Sequence, residues 1–144
     1  MMQTVLVPIS EEESQARAVE RAVLTHPFDR ENIRLVVLNV FEEFTVDDAE
    51  WTSIESADFY DDEFPEGAAE VAARLEQEGF VVDVRREHGD TAQTILDVAD
   101  EIDAASIVMA GRKRSPVGKV LFGSVTQAVL LDADQTVVVG AKQR

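Results

Sequence analysis

Residues 106–126 read S-I-V-M-A-G-R-K-R-S-P-V-G-K-V-L-F-G-S-V-T and join an apolar run, a loop and the start of a helix. The run at 106–110 has the length and the branched side chains of a buried strand. The loop carries glycine, proline and basic residues, and Gly123 and Ser124 then open an apolar segment at 125–131 that predicts a helix. Free backbone N–H groups at this helix start would face the loop and favour an anion. The stretch therefore predicts either a phosphate site or a plain strand-to-helix connection in an α/β domain.

The rest of the chain alternates between strands and helices. Apolar, β-branched runs predict four more strands, at 5–9, 33–40, 80–84 and 136–139. Helical spacing of apolar residues predicts helices from Ser10 onward, from Pro65 to Gly79 and over 92–102. A strand, a helix and a second strand in succession imply a parallel sheet. We therefore predict one domain over residues 1–144: a Rossmann-like, three-layer α/β sandwich with a five-stranded parallel sheet in the order 3-2-1-4-5, helices on both faces and a ligand crevice at the carboxyl ends of strands one and four.

Two of the predicted helices begin with capping signals. Ser10 is followed three residues later by Glu13, which predicts a capping box with Ser10 as the N-cap. The triplet Gly89-Asp90-Thr91 predicts a cap for the helix at 92–102. We expect both helix starts to be satisfied by side chains of the chain itself.

The residue composition excludes several kinds of site. The absence of cysteine removes disulfides, thiolate metal sites and a cysteine nucleophile. His26 and His88 lie far apart and have no second ligand at metal-binding spacing, so we predict no metal site. The sequence contains no Ser/His/Asp order, no HExxH and no intact Walker loop, so we predict no catalytic residues and no enzyme, with only a weak ATP hydrolysis left open.

Charge limits the partners of this chain. The 29 acidic residues outnumber the 13 Lys and Arg, and the net charge of −16 argues against nucleic acid and anionic membranes. No run is long enough to span a membrane, and the N-terminus does not resemble a signal peptide, so we expect a cytoplasmic protein. Only three of the 13 cations are lysines. An acidic, lysine-poor surface suits a halophilic cytoplasm, because salt screens the repulsion between carboxylates.

The segment at 41–64 combines acidic pairs with six of the nine aromatic residues of the chain. Such a concentration of rings argues against simple disorder. Two interpretations remain open: a long surface loop whose rings pack on the domain, or a lid or partner-binding patch.

Five motifs together resemble the universal stress protein family. They are V-L-V-P-I-S at 5–10, L-V-V-L-N-V at 35–40, H-G-D-T-A-Q-T-I-L-D-V-A-D at 88–100, I-V-M-A-G at 107–111 and F-G-S-V-T at 122–126. The resemblance covers the whole chain and implies a five-stranded parallel sheet and a dimer formed through the last strand. It also implies ATP binding in those members that carry a loop of the form G-x-x-G-x9-G-[ST], which other members lack.

The resemblance, with the basic residues of the loop, gives a set of candidate binding residues for an adenine nucleotide, ATP or AMP. They are Pro8, Ile9, Ser10, Val40, Met109, Ala110, Gly111, Arg112, Lys113, Arg114, Gly123, Ser124, Val125 and Thr126.

Two of these positions depart from the family pattern. Nucleotide-binding members usually have Asp after the Pro-Ile pair, where this chain has Ser10. Either Lys113 or Arg114 takes the place of the second loop glycine, according to the alignment chosen. A cation there supplies charge but fills the space that glycine leaves for phosphate. We expect Arg112, Lys113, Arg114 and Lys119 to converge with the N–H groups of Ser124 and Val125 on one anion; the alternative is that they neutralise nearby carboxylates.

The last predicted strand is apolar and uncharged over Thr136, Val137, Val138, Val139 and Gly140. An apolar edge strand invites pairing with a copy of itself, so we predict a two-fold homodimer through these residues. Two functions remain open: a nucleotide-binding regulator of the stress response, and a homodimeric interaction module of the same family that binds no nucleotide.

Overall fold

A computed structural model describes residues 2–41, 64–113 and 122–142 of the 144-residue chain. Strands and helices alternate along these ranges. The strands are β1 (Gln3–Pro8), β2 (Ile33–Phe41), β3 (Val81–His88), β4 (Ser106–Lys113) and β5 (Thr136–Lys142). The helices are α1 (Glu13–Thr25), α2 (Glu66–Gln77), α3 (Thr91–Glu101) and α4 (Ser124–Asp132).

The strands form one parallel sheet in the order β3-β2-β1-β4-β5, which confirms the predicted architecture. The central strand β1 pairs with β2 on one side and with β4 on the other, so that Val5 lies between Leu35 and Ser106. Val5, Leu6 and Val7 are all buried, because helices cover both faces of the sheet.

The two faces of the sheet belong to two separate cores. Val5 and Val7 of β1 pack with α1 and α2, whereas Leu6 packs with α3 and α4. The helix after β1 therefore covers one face, and the helix after β4 covers the opposite face. The chain thus leaves the adjacent strands β1 and β4 in opposite directions, which opens a crevice between their carboxyl ends.

Strand β4 is longer than the sequence predicts. The prediction placed Gly111, Arg112 and Lys113 in the loop, but all three belong to the strand. Gly111 pairs with Ala141, and Lys113 pairs with Lys142 after a register irregularity. The prediction was wrong because β5 continues to Lys142 and supplies hydrogen-bonding partners beyond the apolar run.

The predicted capping box at Ser10 is also wrong. Helix α1 begins at Glu13 with Glu12 as its N-cap, and the Glu12 side chain makes no capping hydrogen bond. Ser10 lies two residues upstream, where its backbone N and its Oγ both donate to Gln15 Oε1, at 2.8 Å and 3.0 Å. The predicted cap of α3 is confirmed, because Asp90 is the N-cap and its carboxylate accepts from Gln93 N at 3.0 Å.

Helices α1 and α2 are joined on the outside by an ion pair. Arg74 Nε and Nη2 donate to the two carboxylate oxygens of Glu20, at 2.9 Å and 2.7 Å. These hydrogen bonds raise the pKa of the Arg74 guanidinium, against the smaller opposing effect of burial. A bidentate pair of this kind fixes the relative orientation of the two helices.

Helix α1 also touches the edge strand β5 at Gly140. A Cβ atom at this position would lie 2.6 Å from Ala22 Cβ and 3.1 Å from the Ala18 carbonyl oxygen. Only a residue without a side chain allows this approach, so small residues on both elements bring α1 and β5 together.

Candidate functional site

A cavity of about 340 Å³ opens at the carboxyl ends of β1, β2 and β4. Its position is the point where the chain leaves β1 and β4 toward opposite faces of the sheet, and α/β sheets of this kind bind ligands there. The lining comprises Pro8, Ile9, Ser10, Glu12, Gln15, Leu38, Val40, Thr91, Ile95, Met109, Ala110, Gly111, Gly123, Ser124, Val125 and Thr126.

Eleven of the fourteen predicted binding residues lie in this lining. They are Pro8, Ile9, Ser10, Val40, Met109, Ala110, Gly111, Gly123, Ser124, Val125 and Thr126. Arg112 and Lys113 belong to β4, past the lining residue Gly111. Arg114 and Lys119 lie outside the described residues, as do residues 42–63 of the acidic aromatic segment.

The start of α4 forms one end of the cavity. Gly123 is the N-cap of this helix, and glycine has no side chain with which to accept from the first-turn N–H groups. Within the described ranges, no side chain accepts a hydrogen bond from the N–H of Ser124 or Val125. The φ of Gly123 is −75°, a value open to any residue, so the backbone itself does not require glycine here. Two N–H donors and the positive end of the helix dipole therefore face the cavity, where they favour an anion.

Thr126 fixes the first turn of α4 to the sheet. Its side chain is 5% exposed, and its Oγ1 donates to the carbonyl oxygen of Ala110 at 3.0 Å. Because Ala110 lies near the end of β4, this bond sets the direction of the helix start relative to the strand.

Asn39 performs a similar role at the end of β1. Its side chain is 1% exposed, and its Nδ2 donates to the carbonyl oxygen of Ile9 at 3.0 Å. The N–H of Ile9 donates to the carbonyl oxygen of Leu38 at 2.8 Å. The chain is thus held against β2 by both polar groups of Ile9 just before it turns toward α1.

The walls of the cavity differ in polarity. Leu38, Val40, Ile95 and Met109, from β2, α3 and β4, form an apolar wall. Ser10, Glu12 and Gln15 form a polar corner where the chain passes from β1 to α1. Glu12 is the one charged residue among the lining residues that the structure describes, and its Oε1 accepts from Ser14 Oγ at 2.6 Å.

Five lining residues were absent from the sequence prediction: Glu12, Gln15, Leu38, Thr91 and Ile95. Leu38 had a usable signal, because it lies two residues before Val40 on the same strand and so shares its face. Ile95 lies one helical turn after Thr91, so the two residues share one face of α3. Glu12 and Gln15 had no such signal, since the start of α1 was predicted two residues too early.

These groups suit the binding of a ligand. Within residues 2–41, 64–113 and 122–142, no three His, Asp or Glu side chains are grouped so as to hold a metal ion. The cavity offers instead an apolar wall, a set of N–H donors and a polar corner, which together fit a ligand with an apolar part and an anionic part. None of the helices in the described ranges is long and apolar enough to cross a membrane.

Comparison with known sequences identifies related proteins. A family model described as the universal stress protein family matches residues 1–140. A curated universal stress protein of Mycolicibacterium smegmatis is 37% identical over 70 residues, which cover 48% of this chain and 54% of that protein. The chain therefore matches about half the length of this curated relative.

Solved structures share the fold over nearly the whole chain. The hypothetical protein MJ0577, whose biochemical function was assigned from its structure, superposes with a TM-score of 0.77 at 20% identity and covers 100% of this chain and 99% of its own. A universal stress protein in complex with cAMP has a TM-score of 0.64 at 20% identity, over 98% of each chain. The universal stress protein of Archaeoglobus fulgidus in complex with dAMP has a TM-score of 0.58 at 19% identity and covers 97% of this chain and 98% of its own. At these identities, the similarity shows the fold.

Proposed function

This chain belongs to the universal stress protein family, and from that membership we propose that it is a regulatory protein of the stress response that binds an adenine nucleotide, ATP or AMP. The observation that carries the proposal is the start of α4, where Gly123 leaves the N–H groups of Ser124 and Val125 open toward a cavity with an apolar wall. One cavity therefore offers an anion site and an apolar surface together.

The parts of a nucleotide fit the parts of this cavity. The base contacts the apolar wall of Leu38, Val40, Ile95 and Met109, and the phosphates accept from the N–H groups at the start of α4. A volume of about 340 Å³ lies in the lower range of small-molecule sites. Arg112 and Lys113 at the end of β4, and Arg114 and Lys119 between β4 and α4 in the sequence, add four positive charges to this part of a chain whose net charge is −16.

Two structural relatives support the ligand class. One was solved in complex with cAMP and another in complex with dAMP, and both ligands are adenine nucleotides. We propose that the nucleotide acts in this chain as a regulatory ligand. The acidic composition, with a pI near 4.3, fits a cytoplasm of high ionic strength.

Calorimetric titration in high salt tests this function. We expect ATP, ADP or AMP to bind with one site per chain, and inorganic phosphate to compete weakly because it reaches only the helix start. GTP at the same concentrations controls for the base. Absence of binding by all three adenine nucleotides up to millimolar concentration would contradict the proposal and favour the interaction module.

A second function, self-association through β5, is favoured by the difference between the two sheet edges. The edge strand β3 carries Asp83, Arg85, Arg86 and Glu87, and Asp83 pairs with Arg34 at 3.0 Å. The opposite edge, β5, is uncharged from Thr136 to Gly140. Charged side chains discourage edge-to-edge pairing and apolar ones permit it, so we propose a two-fold homodimer through Thr136, Val137, Val138, Val139 and Gly140.

Multi-angle light scattering in high salt tests the dimer. We expect twice the chain mass at micromolar concentration, and a monomer when Val138→Pro removes one backbone donor and stiffens the strand. Val84→Pro, the same change at the exposed edge β3, is the control and should leave the dimer intact. A monomeric wild type would remove this proposal without affecting the nucleotide site.

A further inference from the structure

Gln15 occupies the polar corner of the cavity in a fixed orientation. It lies in the first turn of α1, is half-buried and lines the cavity. Its Oε1 accepts two hydrogen bonds from one residue, from Ser10 N at 2.8 Å and from Ser10 Oγ at 3.0 Å. Both are within the ordinary range for such bonds.

The partner of Oε1 decides which way the amide of Gln15 points. A backbone N–H can only donate, so the amide atom 2.8 Å from Ser10 N has to be the oxygen. The opposite orientation would set two donors against each other. Gln15 Nε2 is consequently directed away from Ser10, and in the part of the chain that the structure describes no acceptor pairs with it.

The hydroxyl of Ser10 is already engaged. Its hydrogen is donated to Gln15 Oε1, and its oxygen accepts from Glu12 N at 3.2 Å. The donor that remains at this corner is therefore the NH₂ group of Gln15. A carboxylate in the place of Ser10 would offer acceptors to a ligand, whereas Gln15 offers N–H donors without charge.

The order of the strands shows which part of a ligand this corner faces. β1 lies between β2, which supplies Leu38 and Val40 to the apolar wall, and β4, which leads to the start of α4. A nucleotide with its base on the apolar wall and its phosphates at α4 places its sugar between them, next to the corner after β1. This step rests on the function proposed above.

We propose that Gln15 determines specificity at the sugar, because its Nε2 donates a hydrogen bond to the 2′ or the 3′ oxygen of the nucleotide. The oxygen acts as an acceptor in this contact, and its hydroxyl hydrogen stays free for water. Ser10 is the positioning residue that holds the Gln15 amide in the orientation required.

A double-mutant cycle by calorimetry tests the contact. ATP, 2′-deoxy-ATP and 3′-deoxy-ATP are titrated into the wild type and into Gln15→Met, which keeps the length of the side chain and removes the donor. We expect Gln15→Met to bind ATP about fivefold to tenfold more weakly than the wild type does. The wild type should bind one of the two deoxy analogues more weakly than ATP by the same factor. Gln15→Met should bind that analogue as tightly as it binds ATP, because the contact is already lost. The analogue that shows this coupling identifies the oxygen.

The polarity of the contact needs a second comparison. Gln15→Glu keeps an oxygen that accepts from Ser10, but its second oxygen presents an acceptor to the ligand in place of the N–H donor. This acceptor can bind a sugar hydroxyl, which donates. It cannot bind a methyl ether, whose oxygen only accepts. We expect the ratio of ATP affinity to that of the corresponding O-methyl-ATP to be about fivefold to tenfold higher in Gln15→Glu than in the wild type. The bulk of the methyl group and the added charge cancel in this double ratio.

The controls separate this inference from the function on which it rests. Gln93→Met makes the same chemical change on α3, outside the cavity lining, and should leave all affinities unchanged. Suppose that the wild type binds ATP, and that removing either hydroxyl weakens binding by the same factor in the wild type as in Gln15→Met. The role of Gln15 is then refuted, and the nucleotide site stands. An unchanged double ratio refutes the donor polarity. A wild type that binds no nucleotide refutes both proposals.

Discussion

The N-termini of α3 and α4 both border the cavity, yet their first-turn N–H groups have different partners. At α3, the carboxylate of Asp90 accepts from Gln93 N at 3.0 Å. At α4, the residue in the same position is Gly123, which has no side chain to offer. Thr91 brings the first helix to the cavity, and Ser124 and Val125 bring the second.

This difference distinguishes a helix start that the chain caps with its own side chain from one that the proposed function assigns to a ligand. A carboxylate cap satisfies the N–H groups and neutralises the positive end of the helix dipole, so the helix start is stable without a ligand. A glycine cap leaves donors and partial charge exposed, and a bound anion can satisfy them. Of α3 and α4, the helix whose N-cap offers no side-chain acceptor is α4, and we expect its start to depend on a ligand.

The largest effect is expected when α4 receives the cap that α3 has. Gly123→Asp places a carboxylate where it accepts from the first-turn N–H groups and repels a phosphate. Since a juxtaposition of like charges costs several kcal/mol, we expect nucleotide affinity to fall at least about 100-fold. Calorimetry measures the loss. Gly123→Ala adds a methyl group without charge and should lose far less; equal affinities of Gly123→Asp and the wild type would show that the anion lies elsewhere.

The next effect concerns the bond that fixes α4 to β4. Thr126→Val keeps the shape of the side chain but leaves the buried carbonyl of Ala110 without this donor. We expect the free energy of unfolding to fall by about 1–3 kcal/mol, and nucleotide affinity to fall with it because the helix start moves. Urea denaturation gives the first quantity. Thr94→Val in the first turn of α3 is the matched control, and a cost there as large as at Thr126 would argue against a special role for this bond.

Removing the cap of α3 should affect stability alone. Asp90→Ala leaves the N–H of Gln93 without its acceptor and should lower the free energy of unfolding by about 1 kcal/mol. Asp90→Asn retains an acceptor and should keep most of the free energy of unfolding that Asp90→Ala loses. Nucleotide affinity should stay within about twofold of the wild type in both variants, since Asp90 is not among the residues that line the cavity. A marked loss of affinity in Asp90→Ala would remove the distinction between the two helices.

The smallest effect is the response to phosphate alone. At a concentration equal to its dissociation constant, inorganic phosphate stabilises a protein by about 0.4 kcal/mol, which raises Tm by about 1–2 °C in a domain of this size. We expect this rise in the wild type and in Asp90→Ala but not in Gly123→Asp. Scanning calorimetry at constant ionic strength measures it. A rise of the same size in all three proteins would indicate a general salt effect.

The sequence predicted the sheet correctly, and one of the two helix caps that it predicted is confirmed. Strand order followed from five apolar runs separated by helical spacing, because a parallel sheet with both faces covered has few allowed connections. The cap at Asp90 was predicted because the capping residue adjoins the helix in sequence. Ser10 has the same chemistry, but α1 begins two residues later than the pattern predicts, so Ser10 Oγ accepts from Glu12 N at 3.2 Å and not from the first turn of the helix.

The cavity was predicted where it is built from residues at strand ends and at the start of α4. Pro8, Ile9, Met109 and Gly123 are adjacent to elements whose order the pattern already indicates. Thr91 and Ile95 reach the cavity because α3 crosses above it, which is a matter of helix packing and not of spacing along the chain. The extension of β4 through Lys113 was missed for a related reason, since it depends on pairing with β5.

The contact between Gly140 and α1 has a consequence for how this sequence can diverge. A methyl group at position 140 would overlap Ala22 Cβ at 2.6 Å, so a first step away from glycine is tolerated only in a background that already has glycine at position 22. The order of the two substitutions is therefore constrained: Ala22→Gly opens the path and Gly140→Ala follows it. Even then the carbonyl of Ala18, 3.1 Å away, leaves little room for a larger side chain. Across lineages, the residues at positions 22 and 140 should therefore change together. The edge strand β5 can change freely only at positions that do not contact α1.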